Sequence, residues 1–240
     1  MAHRQAPLPL EDVIAVVAAP CSVEQLGQYF APPNPDTGQV AYTGSRFEQL
    51  DGGGDRDGVA DLISAADLLA VTMLGVRVPT AVSLRLLEGD LGVQVVGHLR
   101  KIPVHVALGE SGATELLAAG GHAARAWHLL EGCEGVGWVT AGKLLARKRP
   151  RVLPVWDNVV SCALGRPVGA WLWLDELFRA GDGALPELLE GVRVAAETSD
   201  RVTRARVLDV IVWMRHYAAH TQNKCARAGL PPLAVARKSR

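Results

Sequence analysis

Apolar positions recur at helical spacing along most of the chain, the pattern of helices that turn one face to a core. From Leu10 to Ala18, Ile14, Val17 and Ala18 share a face, and Pro20 ends the run. Ser22 with Gln25 three residues on predicts a second helix opened by a capping box, and Ser64 with Asp67 predicts another running through Met73. Pro79-Thr80 opens a helix to Leu87, and Asp90 opens one toward Lys101. Further helical patterns cover Ser111–Ala119, Ala123–Leu130, Trp138–Lys148, Asp157–Leu164, Ala170–Arg179, Leu185–Thr198 and Val202–His220. Residues 31–57, rich in Pro, Gly and Asp, read as a long loop, and Pro103 to Val106 suits a short extended segment. No repeat and no matched strand pair is present. The expected class is mainly α, as one domain over residues 1–230 with a loose basic tail over 231–240.

Between Leu130 and Trp138 stands Gly132-Cys-Glu-Gly-Val-Gly137. Gly135 and Gly137 permit a tight turn and a close backbone approach, and Val136 suits a plug into the core. The first N–H groups of the following helix would face outward at the positive end of its dipole, which favours a phosphate. Backbone donors would position DNA without reading its sequence. The same residues also suit an ordinary turn between two helices. Asp157, after Pro154-Val-Trp156 and before Asn158, stands where a helix N-cap is expected.

Leu129, Leu130, Gly135, Val136, Gly137, Ala141, Leu144 and Leu145, followed by Pro154-Val-Trp-Asp157, resemble the helix-hairpin-helix (HhH-GPD) DNA glycosylase superfamily, which includes endonuclease III and the adenine and oxoguanine glycosylases. The clear resemblance spans residues 126–164. It implies a two-lobed helical fold, double-stranded DNA as partner and Asp157 as the catalytic acid, with Gly135, Val136, Gly137 and Trp138 at the DNA backbone. The nucleophilic lysine of the bifunctional members corresponds to Val139, eighteen residues before Asp157, so the resemblance implies a monofunctional, water-using enzyme. A carboxylate beside the sugar would stabilise the positive charge that develops as the N-glycosidic bond breaks, with the base turned out of the stack into a pocket. Glu134 replaces the usual proline, Asn158-Val159 stands where a His is common, Trp156 is bulkier than usual, and the iron–sulfur cysteines are absent. The whole chain also resembles an uncharacterised bacterial domain family.

The 240 residues carry 25 basic and 25 acidic side chains, so no overall field attracts nucleic acid. Local clusters alter that picture. Between Ala141 and Arg166, six bases including Lys143 and Arg147 face one acid, Asp157; this reads as a phosphate-anchoring stripe beside the hairpin or as a solvated helix face. Tyr42, Arg46 and Phe47, with Trp156, are candidates for a base pocket, although Tyr42 and Phe47 equally suit core anchors of the loop. The four cysteines form no CxxC pair, and His216 and His220, at i and i+4, have no third ligand visible in the sequence. No metal or cofactor is expected. The N-terminus lacks an apolar signal core, and no apolar run is long enough to span a membrane, so a monomeric cytoplasmic protein is expected. A DNA-holding module without chemistry and a helical partner-binding scaffold remain alternatives.

Overall fold

The computed structural model describes residues 6–222. The tail expected over 231–240 lies outside them. Among the described residues the regular structure is helical, without strands: α1 (Leu10–Val17), α2 (Cys21–Tyr29), α3 (Ala65–Thr72), α4 (Thr80–Leu87), α5 (Asp90–Leu99), α6 (Ala113–Leu117), α7 (His122–Glu131), α8 (Trp138–Lys148), α9 (Asn158–Leu164), α10 (Ala170–Arg179), α11 (Ala184–Ala195) and α12 (Arg204–Thr221). The fold is mainly α, as the periodicity implies. No helix among the described residues is long and apolar enough to cross a membrane.

Local signals explain most of the starts. Ser64 Oγ accepts from Asp67 N–H while the Asp67 carboxylate accepts from Ser64 N–H, a complete capping box on α3. Asp157 caps α9, and Thr203 caps α12. Ser22 does not cap: α2 already begins at Cys21, and the Ser22 hydroxyl donates back to the Val16 carbonyl at 3.2 Å. Residues 103–106 form a turn rather than an extended segment.

The helices pack in two groups. In one, α8 lies against α3 and α7, and α5 lies against α4 and α7; in the other, α12 lies against α1, α2, α9 and α11. Helix α6 packs against α7 in the first group, and α10 touches α6 and α11 and so bridges the groups. The centres of the groups are unusual helices. Every residue of α8 from Thr140 to Lys148 is buried, as is every residue of α12 from Ala205 to Val212. Helices wrapped on all sides must find internal partners for any charge that they carry.

Those partners come largely from the loop of residues 31–57 and its continuation to α3. Residues 32–39 are exposed, but from Gly44 onward it is a partly buried strap, with short 3-10 turns at Thr43–Arg46 and Leu50–Gly52, and it lies against α8. Gly54 passes so close that a Cβ there would meet the Arg147 carbonyl oxygen at 2.4 Å. Arg147 donates to the Phe47 and Leu50 carbonyls and pairs with Asp67 at 3.1 Å. Lys148 reaches the same carboxylate at 2.8 Å. Arg149 donates to the Ala60, Leu99 and Ile102 carbonyls and pairs with Asp61 at 2.5 Å. Four of the six bases read as a phosphate-anchoring stripe, Lys143, Arg147, Lys148 and Arg149, therefore face inward, whereas Arg151 and Arg166 are exposed. The buried cations neutralise carboxylates and tie the strap to α8, a role that a charge count along the chain cannot separate from a surface patch.

Candidate functional site

Where the two helix groups meet, a cleft of about 600 Å³ opens. Its walls come from the ends of α2 and α3, the strap near Tyr42, the first turns of α8, the start of α9 and one face of α12. Asp157 lies on this wall. One carboxylate oxygen accepts from Val159 N–H at 2.9 Å and Val160 N–H at 3.0 Å, which fixes its rotamer at the positive end of α9. The other stands 3.3 Å from Lys143 Nζ, and the side chain keeps 16% exposure. Capping thus occupies one oxygen, and the second pairs with Lys143, which lines the cleft with it.

Val139, at the position where the glycosylases that the sequence resembles carry a lysine, lines the same cleft from α8. One turn further along that face, Lys143 also lines it. Lys143 is buried, donating to the Leu74 carbonyl at 2.9 Å as well as to Asp157. It is part of the carboxylate's setting and is not available to a phosphate. Arg147 is likewise corrected from a DNA contact to a core residue, being 2% exposed.

The base-pocket candidates separate. Tyr42 lines the cleft and stacks on Tyr29, with centroids 5.1 Å apart. Phe47 is buried in the core beneath the Arg147 and Arg206 guanidinium groups, so it is not free to stack on a base. Arg46 is exposed but borders a different depression, beside Gln49 and Glu197. Trp156 is buried, packs edge-on against Trp173 and faces away from the cleft toward a second, apolar hollow shared with Trp127 and Trp138.

Several cleft residues escaped the sequence reading. Trp213 and Tyr217 stack at 4.4 Å, and Trp213 meets Tyr42 edge-on, so the cleft has an aromatic wall suited to a flat heterocycle. Behind it lies a buried charge cluster. Arg206 pairs with Asp209 and, at 2.6 Å, with Glu48, and donates to the Tyr29 hydroxyl at 2.9 Å. Burial pushes Asp209 up to about 7; the charge of Asp157 adds to this and Arg206 opposes it. Burial also raises Glu48 and Tyr29, against the pull of Arg206. The available signal was the 206–209–213–217 spacing, which puts these residues on one face of α12; it is easily read as an ordinary core stripe.

The hairpin sits at the mouth end of α8. Gly135 has φ +79°, and a Cβ there would meet the Pro79 ring at 2.8 Å, so this turn needs glycine for both conformation and space. Val136 is buried in the core, as its plug role requires. Gly137 caps α8 without any side-chain acceptor, so the first N–H groups of the helix have no side-chain cap. Glu134, Gly135, Gly137 and Trp138 are exposed.

A family model described as a family of unknown function (DUF6308) matches residues 22–216. No curated protein and no solved structure matches the chain.

Proposed function

The chain belongs to this family of unknown function, DUF6308, and we propose that its cleft hydrolyses the N-glycosidic bond of a damaged or modified base in DNA, in the manner of a monofunctional helix-hairpin-helix glycosylase with two helical lobes. The observation that carries the proposal is the setting of Asp157: a fixed carboxylate, at the spacing from the hairpin that the glycosylase resemblance requires, on the wall of an open aromatic cleft. In this reading Asp157 faces the sugar and stabilises the positive charge that grows on it as the base leaves with the bonding electron pair. Water adds to the sugar carbon, and its proton is released. Val139 supplies no amine for a covalent intermediate. The aromatic wall of Tyr42, Trp213 and Tyr217 receives the extruded base, and the uncapped N–H groups at Gly137–Trp138 hold a backbone phosphate.

A second reading, a helical partner-binding protein that does not bind DNA, draws support from one observation. The bases of α8 are buried, whereas Glu131 and Glu134 beside the hairpin are exposed. Incubation with a panel of duplexes carrying modified bases, followed by detection of abasic sites, separates the two. Abasic sites in at least one duplex are expected. No cleavage anywhere, together with no duplex binding at low salt, favours the scaffold.

A further inference from the structure

The second hollow and the contact between α9 and α12 both lie outside the reaction proposed above. At the latter, Cys162 of α9 meets His216 and His220 of α12. One ligand atom from each lies within 4.8 Å of the other two. Cys162 and His216 are buried, and His220 is half-buried at the rim. The histidines are four apart on one helix face, a spacing that presents two imidazoles to one point, and their rings are 5.8 Å apart. The third ligand comes from a helix that is remote in sequence, which is why the pair looks incomplete in the chain alone.

We propose that Cys162, His216 and His220 bind a zinc-like divalent cation. One thiolate and two imidazoles are the donor set of a borderline-soft ion, and they do not suit magnesium or calcium, which take oxygen. Tetrahedral bonds of about 2.0–2.3 Å hold ligand atoms roughly 3.3–3.7 Å apart, so closure requires side-chain shifts on the order of 1 Å. The ion completes its shell with water or a further side chain. Its effect is structural. Cys162 lies five residues after Asp157 on α9, and His216 lies seven after Asp209 on α12. The ion pins, at the far end, the two helices that carry the cleft's carboxylates. Binding displaces the thiol proton to solvent and involves no redox change. The proposal does not depend on the glycosidic chemistry.

The test uses the full chain, stripped with a chelator and titrated with Co²⁺ as the spectroscopic probe, then with Zn²⁺. Uptake of one Co²⁺ per chain is expected, with tetrahedral absorption bands and a sulfur-to-cobalt charge-transfer band, and Zn²⁺ displaces both. Cys162→Ser removes the charge-transfer band, and His220→Ala weakens affinity at least tenfold. Zn²⁺ raises the Tm of the wild type by several degrees and leaves that of Cys162→Ser unchanged, while the metal-free proteins melt alike. Absence of stoichiometric uptake, uptake without the charge-transfer band, or uptake indifferent to both substitutions overturns the proposal.

Discussion

Asp67 caps α3 through Ser64 and also neutralises Arg147 and Lys148, which have 2% and 0% exposure. Removing one carboxylate would leave two buried cations without a counter-charge, and burial already pulls Lys148 below the usual lysine range against the attraction of Asp67. Asp67→Ala is therefore expected to destabilise the protein by about 3–5 kcal/mol, read as a lower midpoint in denaturant unfolding. A loss under about 1 kcal/mol, the value for an exposed pair, would show that these cations reach water. Asp157 differs, because its cap depends on an oxygen that asparagine retains. Asp157→Asn also takes the counter-charge from buried Lys143, so a cost of about 3 kcal/mol, the low end of the buried-pair range, is expected, and duplex occupancy is measured beside activity to separate folding from chemistry at this residue. The cap at Asp157 and the box at Ser64 were both legible in the sequence, since each depends on neighbours a few residues away. The inward course of Arg147, Lys148 and Arg149 was not. Their acceptors, mostly carbonyls on the strap and at the end of α5, lie 47 to 100 residues away along the chain and have no sequence signal of their own.

At the scale of elements, α12 gathers most of what the sequence concealed. Its cleft face carries Arg206, Asp209, Trp213 and Tyr217, and it also carries buried His216 and half-buried His220. Apolar residues on the remaining faces blur the period, because a helix buried all round has no polar face to mark it. The expected helix over Val202–His220 was nevertheless close to the observed Arg204–Thr221, since Thr203 supplies a local cap. Asp209 gives α12 a pH dependence of definite sign. Its pKa, raised by burial to about 7, lies above an unfolded value of about 3.9. Between roughly pH 4 and 7 the folded chain keeps a proton that the unfolded chain has lost, so this group lowers stability progressively as pH rises through that window and levels off above it. The difference in Tm between wild type and Asp209→Asn should shift in the variant's favour as pH rises from 4 to 7. A pH-independent difference would show that Asp209 titrates normally. The Asp209 charge, once formed, adds to that of Asp157, so the activity proposed for the cleft is expected to rise across neutral pH and to lose that inflection in Asp209→Asn.

At the scale of the molecule, two helix groups enclose a cleft, and the zero net charge is distributed so that the bases of α8 are internal. Duplex binding is consequently expected to involve few ionic contacts. A log–log salt slope on the order of −2 to −3 is expected, at about 0.9 per phosphate neutralised. Arg77 is exposed on the segment that carries Val76 into the cleft wall and Pro79 against the hairpin. Arg77→Ala should reduce that slope by about one phosphate, and an unchanged slope would place the DNA elsewhere. The most direct measurement of the central claim is single-turnover formation of abasic sites by wild type and Asp157→Asn, side by side, at protein concentrations that saturate the modified duplex. Base release by the wild type, with loss in the variant of at least a hundredfold at unchanged duplex occupancy, is expected for a group that stabilises the transition state. Release that continues undiminished in Asp157→Asn, or its absence from the wild type on every duplex of the panel, would contradict it.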